Sequence, residues 1–387
     1  MVYLIVILFV SFHIATRGNT MITTLYAIQL QATPLQLGVI VALVAFFPMI
    51  FAIYAGRMSD RLGYRLPLLL GSFGGSIAII LPYIFYDRLY ILYVSQCLFG
   101  LAQIFVLVTI QNLMGAMSTK ETRTKNFAIN SLSISVASII GPALTGATID
   151  LFDYRLAYLL LSGLAMIPGL FLLFKVLPLP VGVDSGEESQ NRFLDLLQSR
   201  PLRKIYITSG VLLAGVGIYE FYFPIYGDHI GFSASMIGIV LSVNASAYFV
   251  VRLFMPALAR NFREEKILVG CLFVSAVAFI LIPLFDQFIA LVIISFILGL
   301  GLGCAQPISI VMAYNCSPKG RTGEVLGIRL TCNKIVQFLM PLLFGSAGSI
   351  LGFILIFWAN AFLFMVSGIS SLEMKRNKDT PHVNRLG

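Results

Sequence analysis

Charge is what this sequence has least of. Asp, Glu, Lys and Arg together make up 11% of its 387 residues, against about a quarter in water-soluble domains. A chain so poor in charge cannot clothe a globular surface, and lipid rather than water is expected as its solvent. Histidine occurs three times (His13, His229, His382), too scattered to assemble a metal centre or a catalytic triad. The five cysteines, Cys97, Cys271, Cys304, Cys316 and Cys332, are widely spaced and odd in number. That pattern excludes a disulfide framework and a CxxC metal site, and leaves packing as their role. No HExxH, GxSxG or phosphate-cradling GKS/T stretch is present. An enzyme and an ATP-driven pump therefore both lack their machinery, and no cofactor or metal is expected.

Apolar sequence fills the space that charge leaves. Hydrophobic residues reach 58% and the mean hydropathy is +0.93. Runs long enough to cross a bilayer, about 20 residues each, fall near 2–27, 34–56, 66–86, 89–117, 124–149, 155–177, 203–229, 233–259, 265–285, 288–315, 321–350 and 351–372. The runs are continuous rather than alternating at every second residue, so helices are expected and a β-barrel is not. Residues 2–12 are apolar without a basic segment before them or a small-residue cleavage site after them. They read as the first half of helix one rather than as a cleaved leader.

The bases are placed unevenly. Arg57, Arg61 and Arg65 follow the second span, Lys120, Arg123 and Lys125 the fourth, Arg260, Arg263 and Lys266 the eighth, and Lys319 and Arg321 the tenth. The opposite loops carry Arg88 and Arg155. By the positive-inside rule this puts both termini in the cytoplasm, and an even number of spans follows. The net charge of +9 then reports topology and contact with anionic lipid, not a nucleic-acid partner. The polar, Pro- and Gly-bearing stretch 178–202 separates six spans from six. The expected division is a six-helix bundle at 1–177, a cytoplasmic linker at 178–202, a second six-helix bundle at 203–373 and a cytoplasmic tail at 374–387.

The two halves also resemble each other. At an offset of 199 residues Arg61 falls on Arg260, Gly71 on Gly270, Asp87 on Asp286, Gly100 on Gly299, Ser118 on Ser317, Lys120 on Lys319, Pro142 on Pro341 and Gly146 on Gly345. Matches at loop and kink positions, all at one offset, indicate an internal repeat. Paired bundles with a solute site between them are one way of building a transporter.

After the second span the sequence reads Gly56-Arg57-Met58-Ser59-Asp60-Arg61-Leu62-Gly63-Tyr64-Arg65. It resembles the GxxxDRxGRR loop signature of the major facilitator superfamily. The resemblance implies an all-α membrane protein of twelve helices in two pseudo-symmetric bundles. It also implies that Gly56, Asp60, Arg61, Gly63 and Arg65 form a conformational latch. Tyr64 departs from the usual base. Ala137 to Gly146, ASIIGPALTG, is similar to the GxxxGPxxGG motif of exporters in that superfamily, with Ala137 and Thr145 replacing two glycines. Gly141, Pro142 and Gly146 are the expected helix-packing residues there. Many members carry a buried Arg in the fourth span where this chain has Gln96, so a mechanism that uses that Arg does not transfer.

Ionised side chains inside a membrane cost about 2.5–3.5 kcal/mol each on insertion scales and need a partner or a cavity. The span map leaves five inside: Arg17, Glu220, Arg252, Arg329 and Lys334. Glu220 is the one acidic residue expected well away from both faces. Desolvation pushes an intramembrane carboxyl toward neutrality and a neighbouring cation holds it ionised, so its proton affinity changes with access. Glu220 is thus a candidate for proton coupling or for contact with a cationic solute; alternatively it is the fixed partner of Arg17. Arg17, Asn19, Tyr219, Tyr222, Asn333, Lys334 and Gln337 are candidate lining residues of a solute cavity, with Gln103, Asn112, Asn130, Asn244 and Asn360 as possible additions or as glue between helices. The excess of cations favours anionic solutes.

The expected function is secondary-active, proton-coupled efflux of a small organic solute, anionic by the charge argument, through alternating access. The partners are that solute, protons and lipid, and a monomer in a bacterial inner membrane is the expected form. Uptake symport of an anionic metabolite is the alternative on the same fold, and a non-transporting sensor is a third. Reporter fusions at residues 178–202 and at the C-terminus should both report a cytoplasmic location. An external location for either would overturn the topology.

Overall fold

The structure is a computed structural model that describes residues 2–118, 123–174, 196, 199–262, 264–317 and 322–376. The described residues are almost wholly helical, with no strand among them. In chain order the helices are α1 (Val2–Gln29), α2 (Pro34–Leu62), α3 (Arg65–Ile84), α4 (Leu89–Ala116), α5 (Arg123–Leu151) and α6 (Tyr154–Leu173). Then come α7 (Arg200–His229), α8 (Ala234–Asn261), α9 (Glu264–Leu281), α10 (Phe288–Asn315) and α11 (Thr322–Arg376). Gly352 inside α11 has φ 71° and ψ 168°, a left-handed position open to glycine, and it divides the segment into two helical arms. Counting those arms separately gives twelve helices, as the hydropathy pattern predicts. Of the twelve, eleven are long and apolar enough to cross a bilayer among the described residues.

Local sequence explains where helices stop and start. Thr33 begins α2 with a capping box: its hydroxyl accepts from the Gln36 N–H at 3.4 Å, and the Gln36 side chain accepts from the Thr33 N–H at 2.8 Å. Asp153 caps α6 by accepting from Leu156 N at 2.7 Å. Gly63 (φ 75°) ends α2 inside the loop motif. α2 continues to Leu62, beyond the expected end near residue 56, because its polar last turns remain helical once outside the apolar run. Residues 178–195 and 197–198 of the expected linker and 377–387 of the tail lie outside the described residues.

Contacts gather the described chain into two compact units. The first contains α1–α6, Gly217–Ser246 from α7 and α8, and Lys334–Gly352 from α11. Within it α1 packs on α5 and α6, α3 on α4 and α6, and α2 on α4. Large apolar side chains such as Ile7, Ile77, Leu151 and Phe171 remain exposed, as expected for surfaces that meet acyl chains rather than water. The second unit contains the start of α7, Ala247–Asn333 and the arm of α11 after Gly352. There α9 packs on α10, and the rings of Phe279, Phe357 and Phe364 cluster at 5.5–6.4 Å.

One end of the first unit is poor in bases and tightly closed. Tyr26 gathers the rings of Tyr86, Tyr154 and Tyr158 at 5.2–5.7 Å and its hydroxyl accepts from the Asp87 N–H at 2.9 Å. The Arg155 guanidinium lies 4.0 Å over the Tyr86 ring. Beside this cluster two helix pairs cross with almost no side chain between them. A Cβ at Gly238 would overlap the Pro142 carbonyl oxygen, and one at Gly146 would overlap that of Ala234, so α5 and α8 touch backbone to backbone. A Cβ at Gly38 would overlap the Pro341 carbonyl oxygen, and one at Gly345 would lie 2.8 Å from Gly38 Cα, so α2 and α11 do the same.

Gly38→Val should lower the thermal midpoint of the purified protein by roughly 4–8 °C, the shift expected from overpacking by a few kcal/mol. Gly163→Ala, where an added Cβ meets nothing within 4 Å, should leave it unchanged. Equal midpoints for the two variants would show that the close crossing carries no weight.

Candidate functional site

The site starts from a steric demand on α1. A Cβ at Gly141 of α5 would lie 2.7 Å from Arg17 Cβ and 2.9 Å from the Ile14 carbonyl oxygen, and one at Gly18 of α1 would overlap Thr145 Oγ1. Small residues thus let the two backbones meet at the level of Arg17. With α5 pressed against its base, the Arg17 side chain turns to α7. Its Nη1 donates to Glu220 Oε1 at 2.8 Å. The pair is 33% and 35% exposed at the side chains, so its strength is partly screened.

The structure therefore brings together the two residues whose contact the sequence left open. Glu220 is held in place by its neighbours on α7. Tyr219 is buried with its ring 5.1 Å from that of Phe223. Tyr222 is also buried, and its hydroxyl donates to the Phe344 carbonyl of α11. Both tyrosines, expected as cavity-lining residues, are packed and anchor the helix that carries the carboxylate.

Asn19 is placed differently from the expectation that it faces a cavity. It is 1% exposed and its Nδ2 donates to Gln96 Oε1 of α4 at 3.1 Å. Gln96 Nε2 in turn donates to Thr23 Oγ1 at 2.8 Å. The two amides and the hydroxyl satisfy one another between α1 and α4, so a neutral Gln suits this position. An amide within an apolar helix satisfies itself against the nearest polar neighbour, and here that neighbour is on α4.

Lys334 opens the first unit's portion of α11, and its Nζ donates to Gln337 Oε1 at 2.9 Å. Arg17, Glu220, Lys334 and Gln337 thus belong to one unit, with two cations and one anion. Asn333 belongs to the second unit, where its Oδ1 accepts from Ser209 at 3.0 Å. Arg329 lies there too, buried, donating from Nη2 to Ser309 Oγ at 2.8 Å. Asn112 donates to Ser59 at 3.2 Å, as interhelical glue does. Among the described residues no group of three or more His, Cys, Asp or Glu side chains could hold a metal.

In the last turn of α2, the side chains of Asp60 and Arg61 lie outside the described residues. Arg65 is described: its Nη2 donates to the Leu172 carbonyl, near the end of α6, where a cation favours the helix dipole. Gly63 supplies the positive φ that turns the chain, and a Cβ added at Gly56 would meet Val108 at 3.6 Å, in ordinary contact. Sequence reasoning passed over Asp150, whose carboxylate accepts from the Ala234 N–H at 3.1 Å and from the Ser235 N–H at 2.8 Å. The available signal was its place one helical turn beyond Gly146.

Comparison with known proteins agrees with this architecture. The Major Facilitator Superfamily profile matches residues 4–284 and 205–385, and so takes in nearly the whole chain. Multidrug resistance protein 2 of Bacillus subtilis (strain 168) is 22% identical over 320 residues, covering 80% of this chain and 79% of its own length. Quinolone resistance protein NorA of Staphylococcus aureus (strain COL) is 23% identical over 332 residues and 83% of each chain. Among solved structures, the nucleoside transporter NupG superposes with a TM-score of 0.82 at 13% identity over 96% of this chain and 98% of that one. A bacterial homologue of the human lysosomal transporter Spinster, in an inward-facing and occupied conformation, gives 0.80 at 12% identity over 98% of each. These structures share the fold. With the repeat, the loop signature, twelve helices and a profile match from end to end, the chain is a transporter of the Major Facilitator Superfamily, embedded in a membrane.

Proposed function

We propose that this protein is a proton-coupled exporter of small organic solutes that works by alternating access, with Glu220 as the coupling carboxylate. The observation that carries the reading is the 2.8 Å ion pair between Arg17 of α1 and Glu220 of α7. It spans the counterpart first helices of the two sequence halves and is partly exposed. A proton reaching Glu220 removes the charge that holds the guanidinium and frees Arg17 to take another partner. The pair thus converts proton binding into a change of contact between the halves. The relatives are described as multidrug and quinolone resistance proteins, which favours export over uptake.

In this reading the base-rich face is cytoplasmic and both termini lie on that side. Stretches 1–177 and 203–373 are the two mechanical bundles, joined by 178–202. The closed, base-poor end of the first unit is the external gate. The relatives are bacterial, in keeping with a cytoplasmic membrane, and the functional unit is a monomer.

Coupling chemistry restricts the solute. Exchange requires that proton and solute exclude each other, so an exported solute must offer Glu220 a cation or a hydrogen-bond donor. Lys334 and Arg17 add an excess positive charge, which an acidic group on the same molecule would satisfy. An amphoteric solute meets both conditions. A purely anionic solute would instead bind Arg17 once Glu220 is protonated, moving with the proton. That is symport, and the positive balance of the site is what keeps it as the second reading.

In membrane vesicles, Glu220→Gln should abolish solute flux driven by a pH gradient while the purified protein keeps its thermal midpoint. Unchanged gradient dependence would remove Glu220 from coupling. A pH-sensitive dye inside wild-type vesicles should report protons moving opposite to an amphoteric solute. Protons moving with the solute, and a preference for simple carboxylates, would establish symport instead.

A further inference from the structure

The two close crossings at the base-poor end are repeat counterparts. Pro142 and Gly146 correspond to Pro341 and Gly345, and Gly38 meets Pro341 as Gly238 meets Pro142. Their polar content differs. α2 satisfies its own first N–H groups through Thr33 and Gln36, and its crossing with α11 adds ring contact between Phe46 and Phe338 at 5.6 Å. α8 depends on its neighbour. Ser233 offers Met236 N a bond of 3.3 Å, whereas the N–H groups of Ala234 and Ser235 are taken by Asp150, from α5. Ser242 of α8 also donates to the Ile139 carbonyl of α5 at 2.6 Å. At the repeat offset Asp150 falls on Ser349, which carries no charge.

We infer that Asp150 is the positioning residue that holds the gate at this end shut, and that the α5–α8 crossing is the stronger of its two seams. A carboxylate on the first N–H groups of a helix is favoured by charge-assisted hydrogen bonds and by the helix dipole. Parting α5 from α8 breaks those bonds, while parting α2 from α11 leaves the capping box of α2 intact. Asp150 is exposed, so its bonds can exchange with water at the moment of opening. It therefore works as a release catch that water can undo rather than as a buried weld. Asp150 touches neither Arg17 nor Glu220 and acts on the balance between closed and open states, so this inference rests on the alternating-access reading but not on the coupling role of Glu220.

Hydrogen–deuterium exchange on the full chain in lipid nanodiscs tests it without substrate or gradient, so the result is separable from the flux experiments. In Asp150→Ala, peptides covering 34–45, 139–146, 234–246 and 338–345 should exchange about five- to ten-fold faster, the change expected from loss of one capping carboxylate. Exchange in α3 should be unchanged. Asp150→Asn, which keeps an acceptor oxygen without the charge, should fall between Ala and wild type. Faster exchange confined to residues 234–237 would reduce Asp150 to an ordinary cap and overturn the inference. Unchanged exchange, or a uniform rise through α1–α6, would overturn it as well.

Discussion

Inside a hydrocarbon layer no water is available to satisfy a polar group, so each one has to find its partner within the protein. The constraint reaches every level of this chain. It makes the backbone helical, because a helix satisfies its own N–H and C=O groups. It closes Asn19, Gln96 and Thr23 into a local set, and it ties Arg329 to Ser309. It also sets Arg17 apart. The partner of Arg17 is not a neighbour in its own sequence half but Glu220, 203 residues further along the chain.

Duplication supplies the mechanics and departures from it supply the chemistry. Glycine and proline at matched positions give two backbone-to-backbone crossings of the same design. Charge follows the repeat at Arg61, Asp87 and Lys120 but not at the ion pair or at the cap of α8. At the same offset Glu220 falls opposite Met21, Arg17 opposite Val216 and Asp150 opposite Ser349. A symmetric scaffold can rock between two equivalent states, but it has no reason to respond to a proton. Single charges placed in one half give the states different electrostatic energies, and a ligand can shift a balance only through such a difference.

Glycine has a second consequence at the ion pair. Because Gly141 carries no Cβ, the Arg17 Cβ and the α1 backbone pack directly against it, and the motif that packs two helices also seats the base of the ion pair. The same residues therefore serve structure and site.

Hydropathy, the placement of bases and the 199-residue repeat were enough to determine twelve helices in two related halves. Each of these is a property of one segment against lipid, water or the membrane potential, and needs no knowledge of neighbours. The intramembrane charges were legible for the same reason: Arg17, Glu220 and Lys334 stand out from any apolar run. Their partners were not. Whether Arg17 reaches Glu220, whether Asn19 faces a cavity or Gln96, and whether Asp150 is a surface acid or the cap of another helix depend on groups 77 to 203 residues apart in the chain meeting at 2.8–3.1 Å. Hydrogen bonds and ion pairs act over that short range, and only the packing of α1, α4, α5, α7 and α8 against one another decided which of them formed.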